Sequence, residues 1–235
     1  MNIRLNTKSR IWEIDFIRGI ALICMVYFHI AFSMNEFYGY NISYTSGINY
    51  YISKASGILF ILISGASCSL SHRNRIRGLK ILGVALLITI TTYSYDPNYI
   101  IKFGILHFLG ISIILFTFIK NLNNLILLVL GTAVIFLSYL IPKINVNHNL
   151  LFPLGIITET FISADYYPLI PWFGLFVYGG VLGKSLYTKK KSIFHFQMRD
   201  NLITRLGQNT LIIYLIHQPI ILLILKIISL IKNPS

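Results

Sequence analysis

The sequence predicts an all-α membrane protein with about seven transmembrane helices and a cytoplasmic N-terminus. Of its 235 residues, 55% are hydrophobic and only 11% are charged, and the mean hydropathy of +0.71 is too high for a soluble domain. Apolar runs of roughly membrane-spanning length recur along the whole chain. Basic residues collect in alternate gaps between these runs, which is typical of a polytopic membrane protein.

Seven apolar runs approach the roughly 20 residues that cross a bilayer as a helix. Glycines, prolines and polar residues separate them. We expect the runs to form one transmembrane domain over residues 1–235, with the first run kept as an anchor because it is too long for a signal peptide. Residues 150–163 are too short to span and are predicted to form a short helix at the surface. The runs cover residues 11–33, 49–71, 79–95, 102–119, 123–141, 168–187 and 207–229.

Fourteen of the twenty basic residues lie in alternate segments of the chain. Cytoplasmic loops are enriched in Lys and Arg, so these segments are predicted to be cytoplasmic, and the acidic residues Glu36, Asp96, Glu159 and Asp165 fall on the opposite side. The net charge of +13 therefore reflects topology and contact with anionic lipid, and does not indicate nucleic-acid binding. The fourteen are Arg4, Lys8, Arg10, Arg73, Arg75, Arg77, Lys80, Lys120, Lys184, Lys189, Lys190, Lys191, Arg199 and Arg205.

Arg18 and His29 lie eleven residues apart in the first run. At about 100° per residue, this step returns the side chain to within roughly 20° of its starting direction, about 16 Å further along the helix. An arginine inside a bilayer costs on the order of 2.5 to 3.5 kcal/mol, so Arg18 marks a ligand site or pairs with Asp15. In the predicted orientation, a ligand that contacts both residues is long and has an anionic inner end.

Several segments resemble a known enzyme family. Glu13-Ile-Asp15-Phe-Ile-Arg18-Gly19, followed by Met25 and His29, resembles the first helix of the transmembrane acyltransferases, which carries an Arg and a His separated by ten residues. More closely, the chain resembles bacterial members of the heparan-alpha-glucosaminide N-acetyltransferase catalytic-domain family. The further matching segments are Phe60 to Gly65, Phe103-Gly-Ile-Leu-His107, Pro168 to Gly174, and Leu206-Gly-Gln-Asn209 through Tyr214 to His217-Gln-Pro219.

The resemblance implies an acetyl-CoA-dependent transmembrane O- or N-acetyltransferase. Acetyl-CoA would be the cytoplasmic acyl donor, no metal is expected, and the acceptor would be a carbohydrate or amino sugar on the far side of a bacterial-type plasma membrane. Lipid contact is expected, and the sequence is compatible with a homo-oligomer. The lysosomal enzyme of the family has Asn at the position of His29 and its catalytic His further along, whereas residues 30–50 here contain no His. The catalytic role therefore falls to His29, as in the wider superfamily, or to another histidine.

Three histidines lie within the predicted spans, and an imidazole can take a proton from a hydroxyl or amine near neutral pH. His29 is predicted to be the base or an acyl-accepting nucleophile, or else a packing residue bonded to a nearby carbonyl. His107 is a second catalytic candidate because Gly104, three residues earlier, permits close approach of a helix or ligand. His217 is predicted to bind the acceptor, or to satisfy backbone groups freed by Pro219.

The donor is predicted to contact Arg18, since a guanidinium binds phosphate in bidentate fashion, with Asp15 orienting it. The alternative is a buried ion pair that only orders the first helix. Gln208 and Asn209 either cap the seventh helix or donate to the ligand. Four basic residues after the second run are candidates for the adenosine phosphates, although topology alone also explains them. They are Arg73, Arg75, Arg77 and Lys80.

Most of the fifteen tyrosines lie towards the predicted outer face, whereas an interfacial aromatic belt enriches both faces. We therefore predict an outer vestibule for a sugar, with the belt as the alternative. Lys54 contributes to it or extends to the interface. The candidate acceptor-binding residues are Lys54, Tyr95, Asp96, Asp165, Trp172 and His217.

Two other functions stay open from the sequence. Intramembrane Arg and His also line the pathways of small-molecule or proton-coupled transporters, although an internal repeat, which many transporters have, is not evident. The third function is a non-catalytic scaffold in which polar residues hold helices together.

Overall fold

The computed structural model describes residues 10–144, 146–189, 191–196, 198 and 201–232. Within these residues, all the named elements are helices, which confirms the predicted all-α membrane fold. Four of the basic residues behind the predicted orientation, Arg4, Lys8, Lys190 and Arg199, lie outside the described residues. The α-helices are α1 (Trp12–Tyr38), α2 (Gly47–Leu70), α3 (Asn74–Tyr95), α4 (Ile105–Ile119), α5 (Asn124–Leu137), α6 (Leu169–Leu186), α7 (Leu202–Gln208) and α8 (Thr210–Lys232).

Six helical segments of the described chain are long and apolar enough to cross a membrane. Five of them are α1, α2, α3, α6 and α8, and the sixth runs over Asn124–Lys143, where α5 is followed by a 3₁₀ turn at Ile141–Lys143. The remaining predicted span, the fourth run at residues 102–119, contains the apolar helix α4, which has only 15 residues. All seven predicted apolar runs therefore contain a helix, and α4 is the one that falls short of a spanning length.

The start of α3 lies five residues before the predicted boundary. Asn74 is buried, and its Nδ2 donates to the carbonyl oxygen of Cys68 at 2.7 Å and to that of Ser71 at 3.2 Å, which fixes the turn from α2 into α3. Hydropathy places the start of this run after the basic residues because they are polar. Long basic side chains are nevertheless good helix formers, so the helix begins before them. Arg75, Arg77 and Lys80 therefore lie on the first turns of α3, not in a loop.

The predicted seventh helix is two helices that meet at Asn209. The Nδ2 of Asn209 donates to the carbonyl oxygen of Arg205 at 2.9 Å, so this side chain closes the end of α7 and does not cap α8. Gln208 is the exposed last residue of α7. Asn201 caps the start of α7 by accepting from the backbone N of Thr204 at 2.9 Å.

The predicted surface helix over residues 150–163 is wrong. The structure has only a 3₁₀ turn at Phe152–Leu154 in this segment. Pro153 cannot donate a backbone hydrogen bond, and Gly155 has a positive φ of 101°, so the turn ends after three residues.

The chain divides into two compact units, residues 1–60 with 190–235, and residues 61–189. In the first unit, α7 packs against α1 backbone to backbone. A Cβ added to Gly207 would collide with the carbonyl oxygen of Asp15, and one added to Gly19 would collide with that of Ile203. The C-terminal part of α1 contacts α8, where the Oη of Tyr38 donates to the carbonyl oxygen of Leu222 at 3.2 Å.

In the second unit, paired glycines bring helices together in the same way. Gly65 of α2 lies against the backbone of Phe176 in α6, and a Cβ at Gly78 of α3 would come within 2.9 Å of the carbonyl oxygen of Gly110 in α4. Small residues commonly allow such close approach between membrane helices. Phe108 and Phe116 of α4 are fully buried next to Phe176 and form the centre of this unit.

Candidate active site

Two histidines face each other in the first unit. His29 lies on α1 and His217 on α8, and their ring centroids are 4.8 Å apart. His217 is only 8% exposed. Although 188 positions separate them in the chain, the contact between α1 and α8 makes them neighbours.

The hydrogen bonds of His217 define its protonation. Its Nδ1 lies 2.6 Å from the carbonyl oxygen of Tyr214, and a carbonyl only accepts, so Nδ1 carries the proton and Nε2 has the lone pair. This Nε2 is enclosed and has no hydrogen-bond partner among the described residues. The carbonyl that Pro219 leaves without its helical donor is that of Leu215, four residues earlier, so the bond to Tyr214 does not perform that role.

His29 is half-buried, but one of its ring nitrogens is enclosed in the same way. Its Nδ1 is buried without a hydrogen-bond partner in the described part of the chain. The alternative of a packing histidine whose Nδ1 bonds to a carbonyl is therefore not what the structure has. Because buried polar atoms are usually paired, two such nitrogens on adjacent rings are unusual.

Gln218 and Ser33 extend the histidine pair. The Nε2 of Gln218 donates to the Oγ of Ser33 at 3.0 Å, and the Oε1 of Gln218 is enclosed without a partner among the described residues. Ser33 follows His29 by four residues, so both lie on one face of α1. Sequence reasoning assigned no role to these two residues. The i, i+4 spacing from His29 and the position next to His217 are the signals that could have indicated them.

Aromatic rings form an apolar wall beside His29. The rings of Phe28 and Phe32 lie 5.5 and 6.5 Å from that of His29, and Tyr44 packs against Phe32 at 5.1 Å. The Oη of Tyr44 donates to the Oε1 of Glu36 at 2.6 Å, which holds the loop after α1 in place. One of the tyrosines of the predicted outer face therefore lies in the same unit as the histidine pair.

The predicted Asp15 and Arg18 ion pair is present near the start of α1. The Nη1 of Arg18 lies 2.8 Å from the Oδ1 of Asp15, and their side chains are 22% and 10% exposed. The other carboxylate oxygen of Asp15 is buried without a hydrogen-bond partner in the described residues. Asp15 therefore orients Arg18, while the guanidinium keeps part of its surface accessible.

His107 is hydrogen-bonded within the second unit. The Oγ1 of Thr89 donates to the carbonyl oxygen of Ile101 at 2.6 Å, so it accepts from the Nε2 of His107, 3.1 Å away. The His107 ring also stacks on Phe103. This arrangement joins α3 to α4 and gives the histidine a structural contact that His29 lacks.

Asp165 caps the first turn of α4. Its Oδ2 accepts from the backbone N of Ile105 at 2.9 Å and occupies the space that the missing side chain of Gly104 provides. Burial raises the pKa of Asp165 to about 6, and this effect outweighs the backbone hydrogen bonds from Ile105 and Tyr166, which lower it. Burial and the nearby Asp165 charge also raise the pKa of Tyr167.

The other predicted acceptor-binding residues have local contacts. Lys54 is exposed, with its Nζ 5.4 Å from the centre of the Tyr50 ring. Asp96 caps a 3₁₀ turn by accepting from the backbone N of Asn98 at 2.8 Å. Trp172 lies at the start of α6, and Tyr95 is 72% exposed. Within the first unit, the structure brings His217, but not Lys54, into ring contact with His29.

The basic residues proposed for the donor lie at the start of α3. Arg77 and Lys80 are three residues apart in α3, which places them on one face of the helix, whereas Arg73 is the non-helical residue just before α3. The guanidinium carbon of Arg75 lies 5.2 Å from the centre of the Phe118 ring. Neighbouring cations of this kind are suited to binding phosphate groups.

A groove of about 670 Å³ lies on the outside of α5, and its lining is apolar. None of the predicted site residues lines it. Among the described residues, no group of three His, Cys, Asp or Glu side chains is placed to hold a metal ion. The lining residues of the groove are Ala133, Phe136, Leu137, Tyr139 and Leu140.

The family model described as "Heparan-alpha-glucosaminide N-acetyltransferase, catalytic" matches residues 10–219. The chain belongs to this family. No curated protein and no solved structure matches the chain. For this heparan-alpha-glucosaminide N-acetyltransferase-type chain, the match runs from the start of α1 to Pro219 in α8, and it includes Arg18, His29 and His217. The family is one of membrane acetyltransferases, which agrees with the helical fold described above.

Proposed function

We propose that the protein transfers an acetyl group from cytoplasmic acetyl-CoA to a hydroxyl or amine of a carbohydrate-type acceptor on the other side of the membrane. Family membership supports the reaction class. The observation that carries the choice of site is the histidine pair, whose enclosed ring nitrogens have no partner in the described residues. Buried polar atoms are usually paired, so these nitrogens mark a place where the fold keeps hydrogen-bonding capacity in reserve for the reaction.

His29 takes the proton of the attacking acceptor group in this proposal. The acceptor nitrogen or oxygen then forms a bond to the acetyl carbon, the carbon–sulfur bond of the thioester breaks, and the leaving sulfur takes the proton from His29 to become the thiol. The unpaired Oε1 of Gln218 accepts a hydrogen bond from a further hydrogen of the sugar hydroxyl or amine. An alternative order, in which acetyl first resides on His29, uses the same residues.

Arg18 binds an anionic or carbonyl part of the donor. Asp15 orients the guanidinium through the 2.8 Å ion pair, and part of the Arg18 side chain is accessible to a ligand. The adenosine phosphates are proposed to bind at Arg73, just before α3, and at Arg77 and Lys80 in its first turns. This assignment places the N-terminus and the start of α3 on the cytoplasmic side, as the distribution of basic residues predicts.

Binding of radiolabelled acetyl-CoA to the purified protein tests the proposal. We expect the unmodified protein to bind, Arg18→Ala to weaken binding, and Lys143→Ala, which removes an exposed cation elsewhere, to bind as the unmodified protein does. In the same preparation, His29→Ala is expected to lose transfer to an acceptor. Lack of acetyl-CoA binding by the unmodified protein would refute the proposed acetyltransferase activity. Unchanged binding by Arg18→Ala together with unchanged transfer by His29→Ala would refute the proposed site.

A further inference from the structure

The two enclosed nitrogens of the histidine pair have complementary chemistry. His217 has a lone pair on Nε2, because its Nδ1 proton is used by the carbonyl of Tyr214. His29 has an enclosed Nδ1, which in a neutral imidazole either carries the proton or has a lone pair. Two lone pairs facing each other would repel, whereas a proton on the Nδ1 of His29 would match the acceptor on His217.

We propose that Tyr214, His217 and His29 form a relay in which the backbone carbonyl fixes His217 and His217 fixes the tautomer of His29. The chain of contacts runs from the carbonyl oxygen of Tyr214 to Nδ1–H of His217, and from Nε2 of His217 to Nδ1–H of His29. The structure leaves both nitrogens unpaired, and the second bond forms on rotation of the two rings, whose centroids are 4.8 Å apart. His217 is thus a positioning residue that leaves the Nε2 of His29 unprotonated.

The relay has a defined effect on proton transfer. When the Nε2 of His29 takes the proton of the acceptor group, His29 becomes a cation with a proton on each nitrogen. Its Nδ1 proton is then stabilised by the lone pair of His217, and the Tyr214 carbonyl stabilises the charge that His217 shares. A base oriented by a second group in this way is a common arrangement in enzymes, and loss of the orienting group lowers the rate without removing the base.

Histidine-selective ¹⁵N NMR in lipid nanodiscs tests the relay without any substrate. We expect the Nδ1-protonated tautomer of His29 in the unmodified protein, with signals assigned by their loss in His29→Phe. His217→Phe keeps a ring but removes the acceptor, and is expected to change the tautomer of His29. His148→Phe makes the same substitution at an exposed loop histidine and is expected to leave the His29 signals unchanged. An Nε2-protonated His29 in the unmodified protein, or an unchanged His29 in His217→Phe, overturns the relay.

This inference rests on the proposed function for its catalytic meaning, so kinetics provide the second measurement. We expect His217→Phe to lower kcat on the order of 10²-fold with little change in KM for acetyl-CoA. His217→Gln, which keeps an acceptor oxygen, is expected to recover at least about tenfold of the loss. A KM effect alone, or no recovery by Gln, contradicts the positioning role. If the NMR result is as expected but neither the unmodified protein nor any variant transfers an acetyl group, the proposed function fails and the relay stands.

Discussion

At the residue scale, buried polar side chains divide into those that the fold satisfies and those whose atoms it leaves unpaired. His107 and Asp165 belong to the first group, since Thr89 and the start of α4 provide their partners. His29, His217 and Gln218 each keep an enclosed atom without a partner among the described residues. An unsatisfied buried polar atom costs about 1–3 kcal/mol, so stability does not explain the second group.

Substitution of the histidines tests this division. We expect His29→Phe to change stability by less than about 1 kcal/mol, because the only hydrogen bond it loses is the one proposed with His217, and to abolish acetyl transfer. His107→Phe makes the same change but breaks the bond to Thr89, so it is expected to destabilise by about 1 kcal/mol. Thermal unfolding in detergent, with acetyl transfer measured in parallel, gives both values. A larger loss of stability in His29→Phe than in His107→Phe would contradict the division.

Asp165 makes stability depend on pH. Its folded-state pKa is raised from 3.8 to about 6, so the protonated carboxyl contributes stability that is fully present below pH 3.8 and is lost as the pH rises through about 6. The loss is at most about 3 kcal/mol. Asp165→Asn is always neutral and keeps an oxygen for the backbone N–H of Ile105, so we expect its melting temperature to lack this decline. Melting curves of both proteins between pH 4 and 7.5 measure the difference, and parallel curves would refute the assignment.

At the scale of helices, the crossing of α1 and α7 determines how the first unit packs. The backbone of Gly207 lies against that of Asp15, and Gly19 lies against Ile203. Van der Waals contact and exact fit, more than hydrophobic burial, hold helices together in a membrane. This crossing also fixes the backbone that carries the Asp15 and Arg18 ion pair.

Two glycine substitutions test this crossing. In Gly207→Ala, the new methyl group would collide with the Asp15 carbonyl oxygen, and we expect destabilisation of at least about 2 kcal/mol and weaker acetyl-CoA binding. Gly83→Ala is the matched control, because no atom lies within 4 Å of its added Cβ in α3. Since Ala favours a helix over Gly, this control is expected to stabilise by roughly 0.5–1 kcal/mol. Equal melting temperatures of the two variants would show that α1 and α7 are not in close contact.

Hydropathy predicts the helices better than their ends. The apolar runs place all the long helices, but capping side chains decide the boundaries, as Asn74 does at α3 and Asn209 does at α7. These contacts depend on hydrogen bonds that an apolar count does not contain. The predicted surface helix at residues 150–163 is only a 3₁₀ turn at Phe152–Leu154, because Pro153 and Gly155 end it after three residues.

The candidate site was predictable only in part, for a similar reason. The eleven-residue spacing within one helix indicates that Arg18 and His29 share a face, and the ion pair with Asp15 is a local i, i+3 contact. The contact of His29 with His217 depends on tertiary packing over 188 positions, which no periodicity encodes. Asp165, an acceptor-site candidate, caps α4 from 60 residues away, and the same limitation applies.

At the scale of the whole molecule, the basic residues predict which side each loop occupies. Cysteines introduced at exposed positions test this in a variant with Cys24 and Cys68 replaced. In intact cells, we expect a membrane-impermeant maleimide to label Thr45→Cys, after α1, and not Asn121→Cys, after α4. Permeabilised cells are the control, since both positions should then react. Labelling of Asn121→Cys alone in intact cells would invert the proposed orientation, and with it the side from which the donor enters.

The measurement that tests the account most directly is acetyl transfer across a sealed proteoliposome. Radiolabelled acetyl-CoA is supplied on the side of the start of α3, and sugars with free hydroxyls or amines are supplied on the other side. We predict labelled sugar with the unmodified protein and with His148→Phe, and at least about 10²-fold less with His29→Phe. Absence of labelled sugar for the unmodified protein, or equal labelling by His29→Phe, would contradict the account.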